Sequence, residues 1–544
     1  MHACAGPQVY LLCRKYRRYW IDADQKLAIA TPMYNRTTPT FYIDACRSIR
    51  YNESPPVSTL TCPFLREVFP MMQPARICAG PVPRRSFLQA GGAAFTGLGL
   101  ADFLRLQAQA ASPQKSNVSS KDDAAVIFLW LPGGPPHMET FDMKPNAPED
   151  YRGAFRPIPT NVAGIEICEH LPQLARVADK YTIIRSIAHE FADHGGGHKR
   201  FMTGRDPKEP AGFVNDYPAV GSMVAHKLSG IDRGIPNYIC GVDGGRQQID
   251  TFSLGTAYLG PAYAPFFVAG DPAAKNFQVQ NLSLEANMEN RLEDRARLLA
   301  GLDQVQRQAD QTGKMAAFDH FNQKALDLLL SPKAREAFDL TREPNQVRER
   351  YGKHAWGHRA LMARRLVEAG CSFVTMVLEN PYVSGVASLK NGTYNWDSHA
   401  VNCHLFDDAL VRLPLLDHVV SALIEDLYAR GLDRRVLLVV TGEFGRTPRI
   451  SQSVGSQTGV MQPGRDHWPQ AMSVLVSGGG KRMGQIIGST NAKGEHPQDR
   501  PLSPNDLWAT VFQHLGIDYH DAFLDHHGRP MPILLHGDPI AELG

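Results

Sequence analysis

The clearest pattern along the chain is a set of short, continuously apolar runs separated by stretches of helical period. The first is Ala124 to Leu131, AAVIFLWL, and similar runs recur at Tyr181 to Ile187, Ser372 to Leu378, Val436 to Thr441 and Met472 to Ser477. Such runs, rich in branched and aromatic residues and without polar alternation, suit strands buried on both faces, the kind found in parallel sheets. Helical patterns fall between them. Leu171 to Lys180 places Leu171, Leu174, Ala175 and Ala178 on one face; 213–229 and 353–369 read as helices, and Val401 to Arg430 as one long helix or two. The alternation predicts an α/β protein, a three-layer α/β/α sandwich around a mainly parallel central sheet. Residues 283–351 depart from it. They are rich in Arg, Asp, Glu, Gln, Ala and Leu at helical spacing and read as a helical insertion on the surface of the core.

Ahead of the first apolar run the pattern changes. Arg84-Arg85-Ser86-Phe87-Leu88 is followed by a weakly apolar Gly/Ala-rich stretch and then Ala108-Gln109-Ala110. This reads as a twin-arginine export signal with a small-residue cleavage site. Met71 and Met72 would start a signal of ordinary length, so residues 71–110 are read as the signal and 1–70 as a start-site misassignment or an extension without regular pattern. Residues 111–122 are a polar linker, and 123–544 form the exported domain. A membrane span at 87–107 is not expected, because Gly91, Gly92, Gly97, Gly99, Asp102 and Arg105 interrupt it. The expected location is the periplasm or cell envelope.

Composition narrows the picture. Hydrophobic residues are 43% and charged residues 21%, as in core-forming globular proteins. Lys+Arg is 57 against Asp+Glu 55, a balance that offers no electrostatic footprint for nucleic acid or an anionic membrane. Cys168, Cys240, Cys371 and Cys403 follow the signal without C-x-x-C spacing, and their pairing is left open. Gly478-Gly479-Gly480 lacks the G-x-G-x-x-G pattern and reads as a tight turn, and no haem motif is present, so a redox role has little support.

Candidate chemistry gathers beside the apolar runs. In open α/β sheets ligands bind beyond the carboxyl ends of the strands. After the first run come His137 and Asp142; after the second, His189, His194, His198, Lys199 and Arg205; after the third, beyond a loop, Asp397 and His399; after the fourth, Glu443 and Arg446. Asp466 and His467 precede the fifth. Imidazole and carboxylate together suit Zn²⁺ or Mn²⁺, and carboxylate alone suits Ca²⁺ or Mg²⁺. His194 and His198, four apart, share a face if a helix starts at the glycines between them. Asp397 and His399 point the same way on an extended segment. Each residue alone has a bland explanation as a cap, a turn or a local ion pair. Five clusters at comparable topological positions argue for one shared site holding a divalent metal.

At these residues the chain resembles the DUF1501 family, exported proteins abundant in planctomycetes, and through it the alkaline phosphatase/sulfatase superfamily. The motifs are the twin arginine, GGPPHMETFDMKP, HGGGHKRFMTGR, NWDSH, TGEFGRTP and GRDHWP. The stretch from His194 to Arg205 is similar to the sulfatase signature C-x-P-S-R-x4-T-G-R, but His194 stands where that signature has the cysteine converted to formylglycine. The resemblance therefore implies no sulfatase of the usual mechanism, and a serine or threonine nucleophile of the phosphatase type is missing from that position too. It implies Asp397 and His399 as a metal-binding pair, His467 as a late metal-binding histidine and Glu443 in place of an Asp-His pair, with His137 or Asp142 replacing an absent first aspartate.

The expectation is a metal-dependent hydrolase acting on a phosphate or sulfate ester, small or polysaccharide. The metal ligands would come from His137, Asp142, Asp397, His399, Glu443, Asp466 and His467. His194 is open to three roles: nucleophile, general base or further ligand. With it, His198, Lys199, Arg205 and Arg446 are the catalytic candidates, the last three to stabilise an oxyanion. The competing expectation is a catalytically inactive binding or cell-envelope assembly protein on the same fold.

Overall fold

The computed structural model describes residues 123–544 apart from 212–213, 245–253, 275–276, 278, 280–330 and 383–385. The expectations for 1–70, 71–110, 111–122 and most of the 283–351 insertion lie outside the described residues.

Eight strands form the central sheet: β1 (Ala125–Trp130), β2 (Tyr181–Ile187), β3 (Tyr238–Val242), β4 (Phe266–Ala269), β5 (Phe373–Val377), β6 (Val436–Thr441), β7 (Met472–Gly478) and β8 (Gln485–Ile487). Their order is β8-β2-β7-β6-β1-β5-β3-β4. Five pairings are parallel, and the two made by β7, with β2 and β6, are antiparallel. The five apolar runs are thus all strands of one mainly parallel sheet. β3, β4 and β8 carry no run long enough to stand out in the sequence.

The reason for continuous apolarity is visible in β1, where alternate residues feed opposite layers. Ala125, Ile127 and Leu129 join one core with residues of α3 (Ala355–Glu368) and α4 (Leu405–Ala429). Val126, Phe128 and Trp130 join a second with residues of α1 (His194–Thr203), α2 (Val220–Lys227) and α5 (Pro504–His514). The architecture is therefore three layers. The 401–430 reading resolves into one helix, α4, which runs through Pro414. Among the described residues of the 213–229 stretch, only Val220–Lys227 is helical. Leu171–Lys180 breaks into Pro172–Ala175 and a 3-10 turn at Ala178–Lys180, although Leu171, Leu174, Ala175 and Ala178 are all buried.

The described end of the supposed surface insertion is different from expectation. Pro332–Phe338 and Asn345–Tyr351 are short helices whose Ala334, Ala337, Phe338 and Tyr351 are buried in the α3/α4 core. Their apolar face is spent on packing rather than left at the surface. Cys168, Cys240, Cys371 and Cys403 are free and buried. Gly478, Gly479 and Gly480 make a tight turn at left-handed φ of 74°, 66° and 66°. Among the described residues no helix is long and apolar enough to cross a membrane.

Candidate metal centre

The carboxyl ends of β1, β2, β5 and β6 lead into the segments rich in His, Asp and Glu. β7 is antiparallel, so its beginning lies at the same rim. That is why Asp466 and His467, which precede their strand, reach the residues that follow the others. A two-residue antiparallel ladder sets His467 opposite Arg446 and Trp468 opposite Gly445.

The Asp397–His399 segment is brought in by close backbone contact. Trp396 N donates to Pro132 O at 3.0 Å, and Trp396 Nε1 to Leu378 O at 2.8 Å. Gly133, at φ +107°, lies so near that a Cβ there would be 2.6 Å from Asp397 N. No side chain other than hydrogen fits.

Asp397 Oδ1 is the focus of the resulting cluster. His399 Nε2 and His467 Nε2 each lie 3.1 Å from it, His194 Nε2 3.4 Å and Arg446 Nη2 2.8 Å. His399 Nε2 and His467 Nε2 are themselves 2.9 Å apart. The far nitrogens decide the protons. His467 Nδ1 is 2.6 Å from Ala192 O, which only accepts, so Nδ1 donates. His399 Nδ1 is 2.6 Å from Asp466 Oδ1 and donates to the carboxylate. In the neutral rings both Nε2 atoms are then bare lone pairs, facing each other and a carboxylate oxygen. Arg446 already meets the carboxylate oxygen, and the two imidazole lone pairs are left to a proton or a metal ion. Tetrahedral zinc, with ligands about 2.0–2.1 Å away, spaces its ligand atoms roughly 3.3 Å apart. The observed separations are close to that, and His194 Nε2, buried and without a hydrogen bond, adds a fourth candidate ligand. The residues fit a divalent ion, and the nitrogen-rich set suits zinc or manganese rather than calcium, which takes oxygen ligands.

Glu443 belongs to an adjoining group. Its carboxylate is fully buried and accepts Gly133 N–H at 2.9 and 3.1 Å. His194 Nδ1 lies 2.9 Å and His198 Nε2 3.1 Å from its Oε1. His194 thus stands between two carboxylates, and both triads, His194–Asp397–His467 and His194–His198–Glu443, have the makeup of a metal site. α1 makes this possible. Asp193 caps it by accepting Gly196 N–H at 3.2 Å, and the helical spacing puts His194 and His198 on one face.

The electrostatics follow from this geometry. Burial opposes the charged form of His194, but Asp397 and Glu443 outweigh it and raise its pKa to about 9. Burial would raise Asp397, yet His194, His399, His467 and Arg446 hold its carboxyl far below the usual range. Glu443 is held down likewise, against its burial, by His198 and His194. His399 is raised by Asp397, and His467 is lowered by burial.

Eight of the residues read from the sequence meet here: His194, His198, Asp397, His399, Glu443, Arg446, Asp466 and His467. Their roles differ from a single ligand list. Glu443 pairs with His194 and His198 instead of joining His399, and Asp466 stands behind His399 rather than facing the focus. Four residues are placed elsewhere. His137 is buried, with Nε2 2.9 Å from Gly494 O, and burial lowers its pKa to about 4. Asp142 pairs with Lys144 at 2.9 Å and with Thr490. Lys199 donates to Glu209 O at 2.8 Å, and Arg205 to Pro532 O beneath Tyr217. The expected oxyanion donors are committed to backbone. Even Arg446, fully buried, donates to Gly134 O at 3.0 Å, Arg465 O at 3.2 Å and Gly133 O besides Asp397.

Two further members of the site are not marked in the sequence: Asn402, whose Nδ2 donates to Asp397 Oδ2 at 2.9 Å, and the Gly133 N–H. Asn402 lies five residues past Asp397, a spacing that gives no warning. His189, which falls among the candidates after the second run, has Nε2 2.6 Å from Glu443 O and Nδ1 accepting Phe191 N–H at 3.2 Å, so it braces the Glu443 backbone.

Fold and site together define an α/β protein with an imidazole–carboxylate centre on the rim of its sheet. The chain belongs to the DUF1501 family, described as a protein of unknown function, whose sequence profile matches residues 123–543. No curated protein matches it. Among solved structures it is similar to alkaline phosphatase from the Antarctic bacterium TAB5, at 12% identity and TM-score 0.32 over 72% of this chain and 98% of that one. It is also similar to the lipoteichoic acid synthase LtaP from Listeria monocytogenes, at 9% identity and TM-score 0.31 over 76% and 74%. A third likeness is to PsFucS1 sulfatase from Pseudoalteromonas sp., at 12% identity and TM-score 0.30 over 77% and 70%. Likenesses of this size leave the function to be argued from the site.

Proposed function

We propose that the protein is an exported, metal-dependent hydrolase of a phosphate or sulfate ester that does not use formylglycine. One observation carries the reading: two imidazole nitrogens, each with its ring partner turned to an outside acceptor, and a carboxylate oxygen converge within 2.9–3.1 Å. Asp397, His399 and His467 would hold the ion, with His194 as a further contact. Such an ion supplies Lewis-acid polarisation of an ester oxygen.

The chain's own residues do the rest. Asp466 and Ala192 O fix the tautomers of the two ligating rings. Arg446 pins Asp397 against the turn after β1. His194 is the least buried imidazole of the cluster, with its side chain 33% exposed. Its Nδ1 faces Glu443 Oε1 at 2.9 Å and its buried Nε2 faces Asp397 at 3.4 Å, so its part is to link the two carboxylates at the ion rather than to attack as a nucleophile. Export by the twin-arginine route, read from Arg84 and Arg85, would deliver a folded protein to the periplasm or cell envelope, where an anionic small molecule or polysaccharide ester is the expected substrate.

A second reading is a catalytically inactive binder, favoured by histidine rather than cysteine, serine or threonine at position 194 and by the backbone commitments of Lys199, Arg205 and Arg446. His399→Ala separates the two. Loss of both ion and aryl phosphate or aryl sulfate turnover in a folded variant supports the hydrolase. A folded wild-type protein that holds no divalent ion by elemental analysis and turns over neither ester overturns it. Export is tested by fusing residues 71–122 to a reporter; secretion unaffected by replacing Arg84 and Arg85 with Lys rejects the route.

A further inference from the structure

Phe444 is fully buried, yet it belongs to neither hydrophobic core of the sandwich. Its ring lies among polar groups. The His467 ring is 4.6 Å away at 36°, the His194 ring 5.5 Å away at 33°, and the Arg446 guanidinium 5.8 Å away. Its two edges touch glycines from different elements. A Cβ on Gly134, in the turn after β1, would be 2.5 Å from Cδ2; a Cβ on Gly197, in the first turn of α1, would be 2.8 Å from Cδ1. Real Cβ atoms do not approach this closely, so the slot exists only because both positions are glycine.

This accounts for a costly feature of the sequence. Glycine disfavours a helix by about 1 kcal/mol relative to alanine, yet α1 opens on Gly195-Gly196-Gly197. At Gly197 the return is room for the Phe444 ring. The ring in turn lies tilted against two imidazoles, with centroids inside the 4.5–7 Å range of aromatic contact.

We infer that Phe444 is the positioning residue of the centre, a wedge held by Gly134 and Gly197 that sets the ring orientation of His194 and His467. The inference rests on the proposed metal centre. It assigns Phe444 no contact with substrate or ion. Its action is to restrict imidazole rotation, so that the lone pairs are aimed before an ion arrives. Residues that orient metal ligands typically change affinity by about 10–100-fold when replaced.

The test uses the mature chain and Zn²⁺, with affinity measured by chelator competition and melting measured on the metal-free protein. Phe444→Leu removes the flat ring face and keeps most of the volume. Phe128→Leu is the control, since Phe128 is equally buried but packs on Phe201 and Trp508 in the second core. The expected result is a loss of Zn²⁺ affinity of about tenfold or more in Phe444→Leu, with melting lowered no further than in Phe128→Leu, whose affinity stays near wild type. Gly197→Ala, which displaces the ring without deleting it, is expected to weaken Zn²⁺ in the same direction and serves if Phe444→Leu does not fold. Wild-type affinity in folded Phe444→Leu or Gly197→Ala, or an equal loss in Phe128→Leu, overturns the positioning role and leaves the metal centre standing. A wild-type protein that binds no Zn²⁺ overturns both.

Discussion

The Nε2 atoms of His399 and His467 face each other across 2.9 Å while their Nδ1 atoms are turned outward to Asp466 and Ala192 O. Neither ring so tethered can turn a proton inward without becoming an imidazolium. A divalent ion bound there would relieve the opposition and stabilise the folded chain by mass action. At a free Zn²⁺ concentration a hundred times Kd the gain is about 2.7 kcal/mol. Thermal melting is expected to rise with Zn²⁺, to fall on chelation, and to lose its Zn²⁺ dependence in His467→Ala. Melting that ignores both zinc and chelator would count against the centre.

Asp466 is the most exposed member of the cluster, with its side chain 55% accessible, so little packing depends on it. Its one structural task here is to accept the His399 Nδ1 proton. Asp466→Ala should leave melting of the metal-free protein nearly unchanged and weaken metal binding by about tenfold or more. Affinity equal to wild type would show that the His399 tautomer is set by something else.

Glu139 and Arg465 form a buried ion pair beneath the segment that carries His467. The contacts are 2.7 and 2.9 Å, and Arg465 also donates to Tyr151 O at 2.7 Å and Thr447 O at 3.0 Å. Glu139→Ala strands a charge where no water reaches it. The expected cost is about 3–5 kcal/mol, read as a lowered urea midpoint. An unchanged midpoint refutes the assignment of this pair as a structural tether.

Burial lowers the pKa of His137 and of His354 to about 4. Both are neutral in the folded chain, whereas unfolded histidine titrates near 6.5. Between these values the unfolded state binds more protons, so stability rises with pH there and is lost as pH falls from about 6.5 towards 4. Each residue contributes on the order of 1–3 kcal/mol to that loss. Urea midpoints measured across this window should fall on acidification, and less steeply in His354→Gln. A flat profile would show that neither imidazole is kept neutral by the fold.

Much of the architecture was legible because burial on two faces leaves a local mark. AAVIFLWL must be a sheet interior whatever lies beside it, and the same holds for the runs that became β2, β5, β6 and β7. β3, with Cys240 and Gly241 at its centre, and the short β4 and β8 leave no such mark. The pool of site residues was legible too, since His and Asp beside strand ends point to the rim of the sheet. What each does there was not. Asp466 and Asp397 look alike in sequence, yet one faces the focus and the other stands behind a ligand. Arg446 reads as a free cation until three carbonyls claim it. Phe444 carries no mark in the sequence; two glycines make room for it only in the fold.

By itself the sequence determined the layered α/β body, the strands that build most of its sheet, and the chemical types available at its rim, because these rest on periodicity and short-range sterics. Only the tertiary structure decided that β7 runs backwards and so delivers His467, that His194 and Glu443, 249 residues apart, share a contact, and that His137 and Asp142 are claimed by other neighbours. Pairings of that kind depend on which strand lies beside which, and no local pattern encodes them.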